Sequence, residues 1–368
     1  MGDGDNMVEG LNKLIDETSP VGVAELSDLL RELLGADAAS GRVVNQQRLN
    51  PRVPRVYRLQ FDTNGAVRSL VVKRLEPTVA RRNHLVITRW LPAAGLADRA
   101  PQLLGAAAER NGQCVWHVYE DLGDWALDAN VPETGPTQAA IELIAQIHTR
   151  FAEHPLLPEC RLFGGDLGIH FYHSNVRDAI RGLEALRPPA VALSAGHEAL
   201  RDRLLERMQR LLEDEPARAE ALADLGGPET LLHGDLWTTN TFVIPSARGY
   251  HARLIDWDHA AVGPASYDLS TFLLRFPRPC RTWILELYRE AVAQSGWRLP
   301  AVKDLNLLFE TAECARFANR ILWPAIALVT ERAEWAFDEL AEVEQWFHDL
   351  APVLPETSQQ PSARPVRP

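Results

Sequence analysis

At 368 residues, 46% of them hydrophobic, the chain exceeds what one core usually serves, so two lobes are expected. A net charge of -12 repels a phosphate backbone and argues against nucleic acid as a partner. No run of about 18 apolar residues occurs, the start lacks a basic-then-apolar signal pattern, and Cys114, Cys160, Cys280 and Cys314 make no CxxC pair; a cytoplasmic protein without membrane partner, zinc knuckle or disulfide framework is expected.

Residues 1–20 read as a flexible, polar N-terminus and 352–368 as a flexible Pro-, Ser- and Gln-rich tail. Between them, Leu26, Leu29, Leu30, Leu33 and Leu34 at helical spacing predict an amphipathic helix over 23–34, stopped by Gly35. Arg55 to Asp62 alternates apolar with polar residues, Asn64-Gly65 makes a turn, and Leu70 to Leu75 resumes extended character, which predicts a hairpin. A helix around 79–91 and a strand from Cys114 to Glu120 follow. From there the spacing turns helical, over 138–151, 198–212, 283–294, 305–329 and 331–350. Two short extended runs interrupt it, 241–244 and 252–255, on either side of the turn-like cluster 246–249. Phe163 to Ser174, rich in glycine and aromatics, reads as a loop that lines a pocket or packs between helices. Trp323-Pro324 marks a kink, and the acidic run from Glu331 to Glu344 is a solvated face or a wall for a cationic substrate. The fold class expected is α+β, a small antiparallel-sheet lobe over 21–122 and a larger, mostly helical lobe over 123–351.

The segment HGDLWTTN, 233–240, places Asp235 and Asn240 five residues apart, and Ile255-Asp-Trp-Asp follows the second late strand. If a hairpin joins the two, Asp235, Asn240 and Asp256 converge as hard oxygen donors of the kind that hold magnesium beside substrate phosphates, with one acid left over. Phosphoryl transfer to a hydroxyl asks for that separation: one carboxylate to take the hydroxyl proton, an amide and a second carboxylate to hold the metal. It also asks for a cation on the nucleotide phosphates. Lys73, inside an otherwise apolar strand, supplies a candidate.

These residues resemble the family of small-molecule kinases that includes aminoglycoside phosphotransferases, choline kinases and fructosamine kinases, over residues 40 to 350. The motifs that carry the likeness are Val72-Lys73, Tyr119-Glu-Asp-Leu-Gly123, Ile147-His148, His233 to Asn240, Ile255 to Asp258, Gly263-Pro264 and Tyr267-Asp-Leu269. The resemblance implies a bilobal, protein-kinase-like fold that uses ATP and Mg2+ and phosphorylates a hydroxyl of a small molecule such as an antibiotic, aminoalcohol, sugar or amino sugar. It implies Asp235 as catalytic base, Asn240 and Asp256 as magnesium ligands, Lys73 on phosphate, and Glu120, Asp121 and Leu122 as a hinge whose backbone meets adenine. His233 and Asp268 match structural braces of the catalytic loop. Asp258 is open to a second-metal or a loop-capping role.

Two departures stand out. Relatives place a glutamate on the helix after the lysine strand, but Arg81 to Leu91 holds no acid, which leaves Lys73 to phosphate alone or to another acid such as Glu76. Asn50 to Arg55 replaces a glycine-rich phosphate loop, with Arg52 and Arg55 as candidate contacts. The missing glutamate keeps an alternative in play, a catalytically impaired nucleotide-binding regulator of the same fold. A protein kinase is disfavoured by the lack of DFG and APE segments, and a two-metal phosphohydrolase by the lack of a histidine-rich ligand set.

Overall fold

The alternating stretches of the first 120 residues form one antiparallel sheet in the computed structural model, which describes Leu11 and residues 21–35, 42–49, 55–63 and 66–355. After helix α1 (Val23–Leu34) come strands β1 (Arg42–Arg48), β2 (Val56–Thr63) and β3 (Ala66–Leu75). Helix α2 (Pro77–Leu85) continues through a π turn, Val86–Trp90, into the short α3 (Leu91–Ala93), and β4 (Leu103–Ala108) and β5 (Val115–Glu120) complete the sheet. The strand order is β1-β2-β3-β5-β4, every neighbour antiparallel. The expected hairpin is β2–β3, paired from Val56↔Lys73 to Thr63↔Ala66. Its Asn64-Gly65 turn, Asn50 to Pro54 with Arg52, most of the N-terminal 20 residues and the tail beyond 355 lie outside the described residues.

Leucines set the packing of α1. Leu26, Leu30 and Leu34 are buried with Tyr57, Leu59, Phe61, Val72, Trp116 and Val118 of the sheet, at roughly 1.5–3 kcal/mol for each large apolar side chain taken from water. Gly105 on β4 lets Leu29 of α1 pack close, since a Cβ there would fall 2.7 Å from the leucine methyl and make that side chain shift.

The rest of the chain is mainly helical: α4 (Thr134–Phe151), α5 (Leu157–Phe163), α6 (Ile169–Ala185), α7 (Ala195–Leu225), α8 (Ser266–Leu274), α9 (Arg281–Ala293), α10 (Val302–Thr330) and α11 (Trp335–Asp349). Ser194 caps α7 through its hydroxyl, which accepts from the His197 amide at 3.2 Å. Helices α6, α7, α10 and α11 share a core that includes Val176, Leu183, Leu204, Met208, Ala318, Ile321, Leu340 and Val343. Two short ladders complete the inventory: β6 (Glu229–Leu232) with β9 (Ala261–Pro264), and β7 (Thr241–Ser246) with β8 (Gly249–Leu254).

Two compact units result. One comprises residues up to Ala126 together with Asn240–Asp258, and the other Leu127–Thr239 with His259 onward. The β7–β8 hairpin, read from the sequence as part of the helical lobe, thus groups with the sheet.

Two further expectations change. The stretch 163–174 is not all loop: α6 begins at Ile169, and the glycines before it are tied to β9 by Leu167 N to Val262 O (2.8 Å) and Val262 N to Gly165 O (2.9 Å). Packing, not an open pocket, explains that segment. The tail is ordered at its start, since Val353 and Leu354 are buried and Leu354 exchanges hydrogen bonds with the Asn306 side chain at 2.9 and 3.1 Å. Pro324 lies inside α10, which continues as one helix on both sides of it. Among the described residues no helix is long and apolar enough to cross a membrane.

Candidate active site

The hairpin β7–β8 positions two of the candidate donors by its register. Thr241 pairs with Leu254, and Ile255 N donates to Asn240 O at 3.0 Å, so the ladder extends one step and leaves Asn240 and Asp256 at the open mouth of the hairpin. There the chain turns sharply. Asp256 has φ 64°, a left-handed conformation that costs a non-glycine residue roughly 1–2 kcal/mol and needs an enforcing surround. Trp257, fully buried, provides it by donating its indole N–H to Leu254 O at 3.1 Å.

Lys73 meets both acids of this turn. Its Nζ lies 2.7 Å from Asp256 Oδ1 and 2.6 Å from Asp258 Oδ1, with the lysine only 9% exposed. Burial opposes the ammonium charge, yet the two carboxylates outweigh it and hold Lys73 above its usual range. Asp258 is pushed up by burial and by the charge of Asp256 beside it, with Lys73 pulling the other way. The acid partner sought at Glu76 is therefore Asp258 together with Asp256. No local pattern could have disclosed it, because the partners are 183 and 185 residues away.

Helix α2 completes the arrangement from the opposite direction. Asn83, buried at 2% exposure, donates to Asp258 Oδ1 at 2.9 Å, and Arg82 donates to the main-chain oxygen of Asp258. Where relatives would carry an acid, α2 carries donors, and the acid comes from the turn after β8. Sequence reasoning missed Asn83; the signal was a short amide on an otherwise apolar helical face. Behind Lys73, His117 is pushed down to about 4 by burial, by His84 and by Lys73, so it is neutral and shares a 2.9 Å hydrogen bond with the Tyr119 hydroxyl.

At the end of β5 the candidate hinge has its side chains engaged. Glu120 pairs with Arg253 and accepts from Gln102 N at 2.7 Å. Asp121 accepts from Ser69 Oγ at 2.5 Å, from Gly123 N at 2.9 Å and from Arg58 at 2.8 Å, and these partners hold its carboxyl below the usual range against the opposing effect of burial. Arg58 also reaches Asp124 at 2.8 Å and Gly123 O at 3.0 Å. What residues 120–122 have left to offer a ligand is largely main chain. Arg55, the one described member of the candidate phosphate loop, is exposed.

In the second unit, β6 delivers the chain into the HGD loop and β9 delivers it into α8, so their pairing sets the loop beside Asp268. Asp268 is 1% exposed and accepts from the amides of His233 (2.7 Å) and Gly234 (2.9 Å), with His148 Nε2 at 3.5 Å. Burial would raise this carboxyl; His148, the charge of His233 and the His233 amide bond outweigh burial and keep it below the ordinary value. His148 is held in turn by the Tyr288 hydroxyl at 2.9 Å and is a structural histidine. Gly234 takes φ 81°, and a Cβ there would sit 2.0 Å from the His259 carbonyl oxygen, so the residue before Asp235 can only be glycine. Asp235 itself is half-buried, Leu236 is buried, and Trp237 is exposed at 39% with the Arg275 guanidinium stacked over its ring at 3.9 Å.

Among the described residues no three His, Cys, Asp or Glu side chains gather as a ready metal cage. One or two carboxylates with an amide oxygen is nevertheless the donor set magnesium takes when phosphates and waters fill the remaining positions. Asn240 and Asp256 at one hairpin mouth fit it.

A family model described as the phosphotransferase enzyme family matches residues 28–305. Solved structures agree on the fold. Similar ones include an ethanolamine kinase from Plasmodium vivax (11% identity, 89% of this chain and 88% of that one, TM-score 0.56). Another is the choline kinase LicA from Streptococcus pneumoniae (14%, 88% and 99%, 0.51). A third is APH(2")-IIIa in complex with GDP and kanamycin (16%, 87% and 98%, 0.56). No curated protein sequence gives a significant match.

Proposed function

Because this chain belongs to the phosphotransferase enzyme family, we propose that it is a small-molecule kinase that moves the γ-phosphoryl group of ATP, with magnesium, to a hydroxyl of its acceptor. The observation that carries the reading is the buried Lys73 held by Asp256 and Asp258 at a turn that also presents Asn240. An ammonium desolvated in this way, with an acid on each side, is preorganised for nucleotide phosphates.

Each residue then has a task. Asp235 accepts the proton of the acceptor hydroxyl as its oxygen attacks the γ-phosphorus; the bond from that phosphorus to the β–γ bridging oxygen breaks, and ADP leaves with the electron pair. Asp268 positions Asp235 by fixing the two amides that precede it. Lys73 places its charge on the nucleotide phosphates, and the main chain of 120–122 receives the base. Asn240 and Asp256 would hold magnesium, which when bound neutralises charge on those phosphates. Asp258, occupied by Lys73 and Asn83, serves the lysine rather than a second metal.

Asp235→Ala should lower substrate-dependent ADP release by at least about a hundredfold while ATP binding stays near wild type. Near-normal turnover would remove Asp235 from its role. The alternative of an impaired regulator rested on the missing helix glutamate; Asp256 and Asp258 as acid partners of Lys73 favour the kinase over it. Screening hydroxylated metabolites and antibiotics for ADP release identifies the acceptor.

A further inference from the structure

Arg275, Arg281 and Arg316 lie near one another in the second unit; burial first, and then a neighbouring arginine, Arg316 for Arg275 and Arg278 and Arg275 for Arg281, hold Arg275 and Arg281 below the usual arginine range. Two have structural work. Arg316 bonds Glu313, Ser270 Oγ at 3.0 Å and the Tyr267 carbonyl, with its guanidinium 3.7 Å over the Tyr267 ring. Arg281 ties the end of α8 and the start of the tail by donating to the carbonyls of Phe276 (3.0 Å), Val353 (3.2 Å) and Leu274 (3.4 Å).

Arg275 differs. It follows the last residue of α8, where an arginine ordinarily donates to the final carbonyls, but Arg281 already does so and the Arg275 guanidinium donates to none. Its Nε is enclosed and among the described residues has no hydrogen-bond partner. Among the described residues the group lies over the Trp237 ring, its central carbon 3.9 Å from the ring centroid. A guanidinium over an aromatic face spends no N–H donor on the ring, which leaves its fork able to take bidentate oxygens. Two carboxylates lend it a field, Glu313 and Asp235, and Glu313 is already bound to Arg316. Trp237 is two residues beyond Asp235, and its amide donates to the Asp235 carbonyl at 2.9 Å, so the cation is carried by the loop that carries the base.

We propose that Arg275 is an anion-recognition residue of the HGD loop, its stacked guanidinium binding paired anionic oxygens brought to Asp235. The inference deepens the kinase reading and rests on it for the identity of those oxygens: they belong to the transferring phosphoryl group, or to a carboxylate or phosphate on the acceptor. Either source offers the planar pair of oxygens that the fork accepts.

Equilibrium binding by calorimetry, with Mg·ATP, Mg·ADP and inorganic phosphate as probes, tests it on wild type, Arg275→Met and Arg275→Lys. Methionine keeps apolar cover on Trp237 and removes the charge; lysine keeps the charge without the fork. If the oxygens are those of the γ-phosphoryl, Arg275→Met binds ATP roughly tenfold to a hundredfold more weakly and ADP unchanged. If they come from the acceptor, nucleotide binding is unchanged and phosphate binding is weakened by the same range. Lysine should recover part of either loss. Equal affinities of wild type and Arg275→Met for all three probes, with both proteins folded by thermal melt, overturn the proposal. Wild type that binds no ATP at all would instead overturn the kinase reading, while the phosphate arm still decides Arg275.

Discussion

Replacing Asp268 by Asn tests whether the buried carboxylate holds the loop that ends in Asp235. Each of its oxygens has its own amide: Oδ2 takes His233 N at 2.7 Å and Oδ1 takes Gly234 N at 2.9 Å. Asparagine keeps one oxygen and turns an NH2 toward the other amide, so a charge-assisted bond of about 1.5–3 kcal/mol is lost. A buried donor then faces a donor, at about 1–3 kcal/mol more. The sum is on the order of 3–5 kcal/mol, since 1% exposure leaves no water to substitute. At about 2–4 °C per kcal/mol for a unit of this size, the melting temperature should fall by roughly 10 °C. Urea and thermal unfolding read the loss, and turnover at a temperature where the variant is folded reads the loop. A variant melting within about 2 °C of wild type would falsify the brace, because no arrangement of an amide satisfies both N–H groups at that cost.

Gly234→Ala should destabilise clearly more than Gly227→Ala. Both sites have positive φ and share a conformational cost of roughly 1–2 kcal/mol, but only at 234 does the new Cβ strike a backbone oxygen, that of His259. Equal losses in urea unfolding would refute the clash. Because the Asp268 carboxyl is held below its usual range, its contribution is complete above the unfolded carboxylate value of about 3.9 and is lost as pH falls through the lower folded value. The stability gap between wild type and Asp268→Asn should accordingly be flat from pH 7 to 5 and narrow in stronger acid; a gap unchanged at pH 3 refutes the assignment. Chelation with EDTA should stop turnover and excess magnesium restore it, with Asn240→Ala needing more magnesium for half-maximal rate.

Elements whose sequence period matches a half-buried face were readable: the β2–β3 hairpin, α1 and the helices from α9 to α11 lie within a few residues of their expected bounds. Chemistry carried by short range was readable too, since the β7–β8 pairing that leaves Asn240 and Asp256 at the same end of the hairpin follows from two extended runs and a turn. Strands β6 and β9, four residues each, have no period long enough to register, yet they set the HGD loop beside Asp268. The partner of Lys73 and the roles of Asn83 and Arg275 rest on contacts between distant segments, and local patterning is blind to these. Val353 and Leu354 were hidden for a simpler reason, two apolar residues inside a proline-rich tail.

The grouping of residues 240–258 with the sheet has a consequence for biosynthesis. A chain emerging from the ribosome completes β1 to β5 early but must extend by another 132 residues, from 126 to 258, before the hairpin that finishes the same unit exists. At ~5–20 residues per second that interval is roughly 7–26 s. Throughout it, Lys73 has neither Asp256 nor Asp258 as a partner, because neither has yet been made. The ion pairs of this unit therefore form only once the turn that the chemistry requires has left the ribosome.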